Sequence, residues 1–229
     1  MKKRESGFTL IEIAIVLVII GLLLGGVLKG QELITGARVR NLIQQQDGVK
    51  AAYFGFLDRY RALPGDYGAA TTNISGTTAD GNANGQIGGG TTAPVESILA
   101  WEHLAKSGFI NGSYVYNGVT APSDASNPKN PYAGFMQLIF DGVYGAGGAV
   151  SRHNLKTGAN IPVEIVAELD RKVDDGAPYT GAFQFSTYAP TGGTAPTAAD
   201  CVAANTTTPT LTTWNVSGGK SNCGGTSLY

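Results

Sequence analysis

One carboxylate, Glu12, lies in a run that is otherwise free of charge from Phe8 to Leu28. In hydrocarbon a lone carboxylate costs a few kcal/mol or more, so it marks a functional position by default. Its natural chemistry there is pairing, because a carboxylate and an amine brought together in a dry place neutralise one another. Two other acidic sets have the spacing of oxygen ligands. Asp80-Gly81-Asn82-Ala83-Asn84-Gly85 matches the first half of the calcium loop D-x-[DN]-x-[DN]-G, with oxygens at alternate positions and Gly for the tight turn. Thr91 stands where that loop needs its Glu, so a cation site would require Asp66 or Glu96 to fold in. A plain Asn/Gly turn explains the same residues. Asp170, Asp174 and Asp175 form the second set, with Asp170 and Asp174 one helical turn apart. Here the alternative is a helix end entering a turn at Gly176, with Arg171 and Lys172 as counter-charges.

Cys201 and Cys223 are the two cysteines of the chain. In an exported domain they pair most simply with each other, which the chain-entropy model values at about 3 kcal/mol. Two free thiols in a reducing compartment are the other reading. A zinc site has no second cysteine pair or His cluster to complete it. Catalysis lacks a residue set: His103 sits beside apolar helix positions, and His153 sits in a Gly-rich stretch without a nucleophile. No Ser-x-Gly elbow, HExxH pair or phosphate loop is present. The chain is read as a non-enzyme.

These residues need elements to hold them. Phe8 to Leu28 is 21 residues, which as a helix spans roughly 30 Å, the thickness of a hydrocarbon core. Lys2, Lys3 and Arg4 precede it, so the positive-inside rule keeps the N-terminus in the cytoplasm. Helical periodicity continues through Val39, Leu42, Ile43, Gln46, Val49, Tyr53, Phe56 and Tyr60, the stripe of an amphipathic helix lying on a globular body. Pro64-Gly65-Asp66 stops it. Gly21, Gly25, Gly26, Gly30, Gly36, Gly48 and Gly55 are its points of weakness, where it could bend, or where helices could approach closely.

Beyond a Gly/Thr/Asn-rich loop from Asp66 to Ala93, Pro94 to Gly108 reads as a second helix and Pro162 to Val173 as a third. Phe135–Phe140 and Gly181–Ser186 read as strands, and the rest through Tyr229 as Thr/Gly-rich loop. Tyr179, Tyr188, Trp214 and Tyr229 either face a partner or pin this tail. The 33 glycines are about twice the usual share of roughly 7%, and only 14% of residues are charged. That composition suits a periplasmic or extracellular surface with long loops. The net charge of −1 gives no sign of a polyanion partner, and no nucleic acid is expected.

Basic head, Gly7-Phe8 junction, Glu12 and apolar span together resemble the class III signal of type IV pilins and type II secretion pseudopilins. Leu63-Pro64-Gly65-Asp66, Ala100-Trp101-Glu102-His103-Leu104 and Leu169-Asp170 through Gly176 more loosely resemble a pseudopilin-like subfamily. The resemblance implies that a membrane-embedded prepilin peptidase cuts after Gly7 and methylates the new Phe8 amine. It makes Glu12 the assembly residue and other copies or related pilins its filament partners, with an inner-membrane platform assisting. It also implies a pilin-like α+β fold: a long N-terminal helix on a small antiparallel sheet, extra helices and a disulfide-closed C-terminal loop. Calcium, common in such proteins, is the one cofactor it brings into view.

The expected organisation is therefore a leader over 1–7, a membrane and filament-core helix over 8–28, an amphipathic helix over 29–63, and a head over 64–229. The expected role is a structural subunit of a pseudopilus or a surface pilus. A minor tip subunit that binds a surface ligand, DNA or cargo is the alternative.

Overall fold

The computed structural model describes residues 10–89, 94–190, 192–203 and 212–229. The chain divides into two compact units between Arg38 and Val39, a point inside helix α1 (Leu10–Tyr60).

In the first unit, α1 exposes its apolar side chains from Leu10 through Ile34. Gly21, Gly25, Gly26, Gly30 and Gly36 all remain helical. Each glycine gives up about 1 kcal/mol against Ala, whereas a break would strand several backbone N–H and C=O groups. The helix is the cheaper outcome. Among the described residues it is the one helix long and apolar enough to cross a membrane.

The second unit is built on the remainder of α1. Val39, Leu42, Gln46, Val49, Ala52, Tyr53 and Phe56 are buried, which adds Ala52 to the expected stripe, while its members Ile43 and Tyr60 are half-buried. The helix ends at Tyr60, earlier than the expected stop, because Arg61 turns into the left-handed region at φ 52°. The chain then enters a short helix α2 (Ala70–Asn73), a loop, and helix α3 (Glu96–Lys106). Gly65 passes so close to α3 that a Cβ would sit 2.4 Å from the Glu96 carbonyl oxygen. Strands β1 (Gln137–Asp141) and β2 (Arg152–Lys156), helix α4 (Val163–Val173) and strand β3 (Phe183–Phe185) follow. The chain finishes with α5 (Ala198–Cys201), β4 (Val202–Ala203), β5 (Thr213–Trp214), a 3-10 turn (Val216–Gly218) and β6 (Gly225–Leu228). The fold is α+β and pilin-like: a long helix, a small antiparallel sheet and additional helices.

The sheet runs β1-β2-β6-β3, all antiparallel, with a separate β4-β5 ribbon. Two cores lie along the buried face of α1. Val39 and Leu42 pack with α4, Phe183, Phe185, Trp214 and the cysteines. Val49, Tyr53 and Phe56 pack with Trp101, Leu104, Met136, Leu138 and Leu155.

Two expectations are corrected. The tail does not remain loop: β6 is an inner strand of the sheet. The stretch around His153 is not a loop either, but strand β2. Neither strand shows apolar alternation, because three of their buried positions, Asn154, Lys156 and Thr226, are polar and are satisfied by hydrogen bonds within the sheet. Thr226 donates to Asn154 Oδ1 at 3.0 Å, and Lys156 meets Asp141 at 2.6 Å while only 2% of its side chain is exposed. Gly225 lies flat against Phe183, where a Cβ would fall 2.1 Å from the ring. Gly225→Val should therefore destabilise the head by about 2 kcal/mol or more, as overpacking does. Urea unfolding followed by circular dichroism reads this, and an unchanged midpoint would deny β6 its place against β3.

Candidate functional site

Glu12 lies near the start of the described part of α1. It is exposed, on a helix whose neighbouring side chains are Ile11, Ile13 and Ile15. Gly7 and Phe8 lie outside the described residues. Helical periodicity thus presents one acid and an apolar surface on the same rod.

The loop after Pro64 is organised by buried carboxylates. Both oxygens of Asp66 accept backbone amides, from Asn84 at 2.9 Å and Gly85 at 2.8 Å. Glu96 accepts Asn82 N–H at 2.9 Å and Gly88 N–H at 2.7 Å, although burial, reinforced by Asp66, pushes its carboxyl above the usual range. Glu102 accepts the amide and hydroxyl of Thr78. Asp66 and Glu96 do fold in, as a cation loop there would require, but their oxygens bind the loop backbone. Asp80 accepts the Thr71 amide at 2.7 Å and its hydroxyl, Asn82 accepts Asn84 N–H, and Asn84 accepts Gln86 N–H. Asp80 thus holds the start of α2, and Asn82 and Asn84 serve the turns of their own loop. Asp66, Glu96 and Glu102 have no periodic signature as loop anchors, and the sequence marked the first two only as auxiliary cation ligands.

His103 is fully buried and structural. Its Nδ1 accepts the Gly65 amide at 3.0 Å and its Nε2 meets the Ala79 carbonyl at 3.1 Å, which fixes the neutral ring with the proton on Nε2. Burial lowers its pKa, in keeping with that form. His153 packs between Phe140, 4.9 Å away, and Tyr53 at 6.1 Å, and burial lowers its pKa as well. Among the tail aromatics, Trp214 is buried in a core and Tyr229 stacks 5.0 Å from Tyr53, so both pin the tail.

The other acidic set is brought together. One oxygen from each of Asp170, Asp174 and Asp175 lies within 4.8 Å of the others. Asp170 lies in the last turn of α4 and accepts the Trp214 indole N–H at 2.7 Å. Asp174 accepts the Ala182 amide and, at 2.9 Å, the Phe183 amide that opens β3. Asp175 accepts the Ala177 amide and the Thr180 hydroxyl. Arg171 and Lys172, expected as counter-charges, instead both pair with Glu168, at 3.4 and 3.2 Å. Burial, with Asp175 and Asp174 adding negative potential, raises the Asp170 pKa to about 6 against the pull of the Trp214 N–H and the nearby Gly176 amide.

Cys201 and Cys223 are joined, and both are buried. Cys223 exchanges two backbone hydrogen bonds with Ile161, at 2.8 and 3.1 Å. The bridge thereby ties α5 and the β4-β5 ribbon to the segment that starts α4.

Residues 2–28 match the family described as the prokaryotic N-terminal methylation motif. This is the class III prepilin signal of type IV pilins and pseudopilins, and the chain carries it directly ahead of, and into, α1. No curated protein matches the chain, and no solved structure does. The motif supports a type IV pilin-like or pseudopilin-like subunit, and the apolar helix and the disulfide-bonded α+β head are consistent with it.

Because the Asp170 pKa is raised on folding, this group's contribution is fully present below its unfolded value near 4 and is lost as pH rises through about 6. The buried histidines act in the opposite sense, so the informative quantity is a difference. In chelator, the melting midpoint of wild type minus that of Asp170→Asn should rise as pH falls from 7.5 to 5. A pH-independent difference would contradict the raised pKa.

Proposed function

We propose that the chain is the precursor of a filament subunit. Prepilin peptidase cuts it between Gly7 and Phe8 and methylates the Phe8 amine, and the mature chain polymerises through its N-terminal helix. The observation that carries this reading is the methylation motif running into a helix whose apolar side chains, Leu10 through Ile34, are exposed. That surface needs a cover. Lipid supplies one before assembly, and the same helices of neighbouring copies supply the other in a filament. Glu12 of one copy and the Phe8 amine of the next neutralise each other in that packed core and fix the axial register.

Lys2, Lys3 and Arg4 hold the N-terminus on the cytoplasmic side of the inner membrane, which places the head across it, where disulfides form. The partners are prepilin peptidase, the assembly platform and other pilin subunits. The product is a periplasmic pseudopilus or a surface pilus. Residues 1–7 hold three of the 16 basic and one of the 17 acidic residues, so removing them leaves 13 against 16, or −3. Such a subunit has no general affinity for nucleic acid. The motif points to a structural role and not to an enzyme.

Two measurements test the two halves of this proposal. Gly7→Ala should leave the leader attached, and a mature N-terminus at Phe8 in mass spectrometry of that variant would reject the cleavage site. Glu12→Ala should be cut and methylated normally yet be missing from sheared filaments, and wild-type incorporation would remove the pairing role.

A further inference from the structure

We propose that Lys156 and Asp141 condense to an isopeptide bond that staples edge strand β1 to β2. The inference does not depend on the filament reading. Lys156 is the one lysine or arginine buried among the described residues, with 2% of its side chain exposed. Its ammonium lies 2.6 Å from Asp141 Oδ2, and the Asp141 side chain is only 19% exposed. A carboxyl C–O bond is about 1.2 Å long, so the nitrogen lies within about 3.8 Å of Asp141 Cγ, close to attack distance. The surroundings hold both partners in place. Lys156 Nζ also donates to the Val143 carbonyl at 3.3 Å, and the Tyr188 ring lies 6.0 Å from it. Asn154, which is fully buried, donates to Asp141 Oδ1 at 3.0 Å. The Thr226 hydroxyl and the Arg152 carbonyl in turn fix the Asn154 amide.

Two opposite charges taken out of water are a costly way to hold two strands, because desolvation offsets much of their attraction. A neutral amide removes both charges at once. Burial lowers the Lys156 pKa against the opposing pull of Asp141, which favours the free amine that the reaction needs. The step balances within the pair. The ammonium passes one proton to Asp141 Oδ2, the amine attacks Cγ, and an N–C bond forms as the carbonyl electron pair moves onto Oδ1. The Asn154 N–H already aimed at Oδ1 stabilises that oxyanion. A second amine proton then passes to Oδ2, the C–Oδ2 bond breaks, and water leaves as the carbonyl re-forms. Nothing is oxidised or reduced, and the net charge is unchanged. Fixed proximity takes the place of an activating group, since effective molarities of well-oriented partners reach about 10⁵ M or more. The product ties two neighbouring antiparallel strands covalently, so β1 can no longer peel from the edge of the sheet.

The bond is read by mass. Full-length protein is made without prepilin peptidase, purified in detergent, then denatured with its disulfide reduced. It should weigh about 18 Da less than its sequence requires, the loss of one water. In a tryptic digest, residues 130–152 should appear joined to residues 153–171, because an acylated Lys156 is not cut. Lys156→Arg keeps the cation but has no amine to acylate, and should have its full sequence mass. Wild-type protein at its full sequence mass would overturn the proposal whether or not the variant folds. So would a loss of water confined to residues 130–152 with Lys156 cut normally, the mark of a succinimide at Asp141-Gly142. A mass deficit that persists in Lys156→Arg would overturn it as well.

Discussion

Apolar surface that a chain leaves exposed must be covered by something else, and here that surface is the N-terminal half of α1. Bilayer and helix bundle are nearly equivalent for Leu, Ile and Val, since lipid tails are as apolar as the side chains themselves. The apolar residues would therefore hold the helix out of water without choosing between the two destinations proposed for it. Glu12 can make that choice. Near the lipid interface it retains contact with water and headgroups, whereas inside a bundle it needs an amine. In the proposed filament, the residue most costly to bury would be the one that distinguishes the assembled state from the membrane state.

The head solves a different problem with the same kind of group. It has few regular elements for its length, so much of its backbone runs in loops whose amides lack ladder partners. Asp66, Glu96 and Glu102 satisfy those amides from below, and Asp174 and Asp175 do so for the turn before β3. Carboxylates here act as substitutes for secondary structure. Among the buried acidic oxygens of the described residues, Asp170 Oδ1 and Glu102 Oε1 have no hydrogen-bond partner.

The parts governed by periodicity were legible in the sequence. The stripe from Val39 to Phe56, the helices around Trp101 and Val166, and strands around Leu138 and Phe183 follow from apolar spacing and from Pro and Gly at their ends. The motif that names the class is local, so a single sequence displays it fully. What was hidden is polar and long-range. β2 reads Arg-His-Asn-Leu-Lys and β6 reads Gly-Thr-Ser-Leu, and neither alternates, because the buried Asn154 and Thr226 satisfy one another across strands and the buried Lys156 is satisfied by Asp141 of β1. The anchoring roles of Asp66 and Glu102 depend on loops folding back onto α3, which no spacing rule records. The pairing of Arg171 and Lys172 with Glu168 is equally silent: proximity in sequence suggested Asp170 and Asp174, and helix geometry chose the i−3 and i−4 partner.

The central claim is that Glu12 of one copy meets the Phe8 amine of another. It is tested most directly by solid-state NMR on filaments assembled from two populations, one carrying ¹³C at the Glu12 carboxyl and the other ¹⁵N at the Phe8 amine. A charge-assisted contact predicts strong intermolecular dephasing, with nitrogen and carboxyl carbon about 3–4 Å apart. Intact filaments in which no Glu12–Phe8 coupling appears between copies would contradict it.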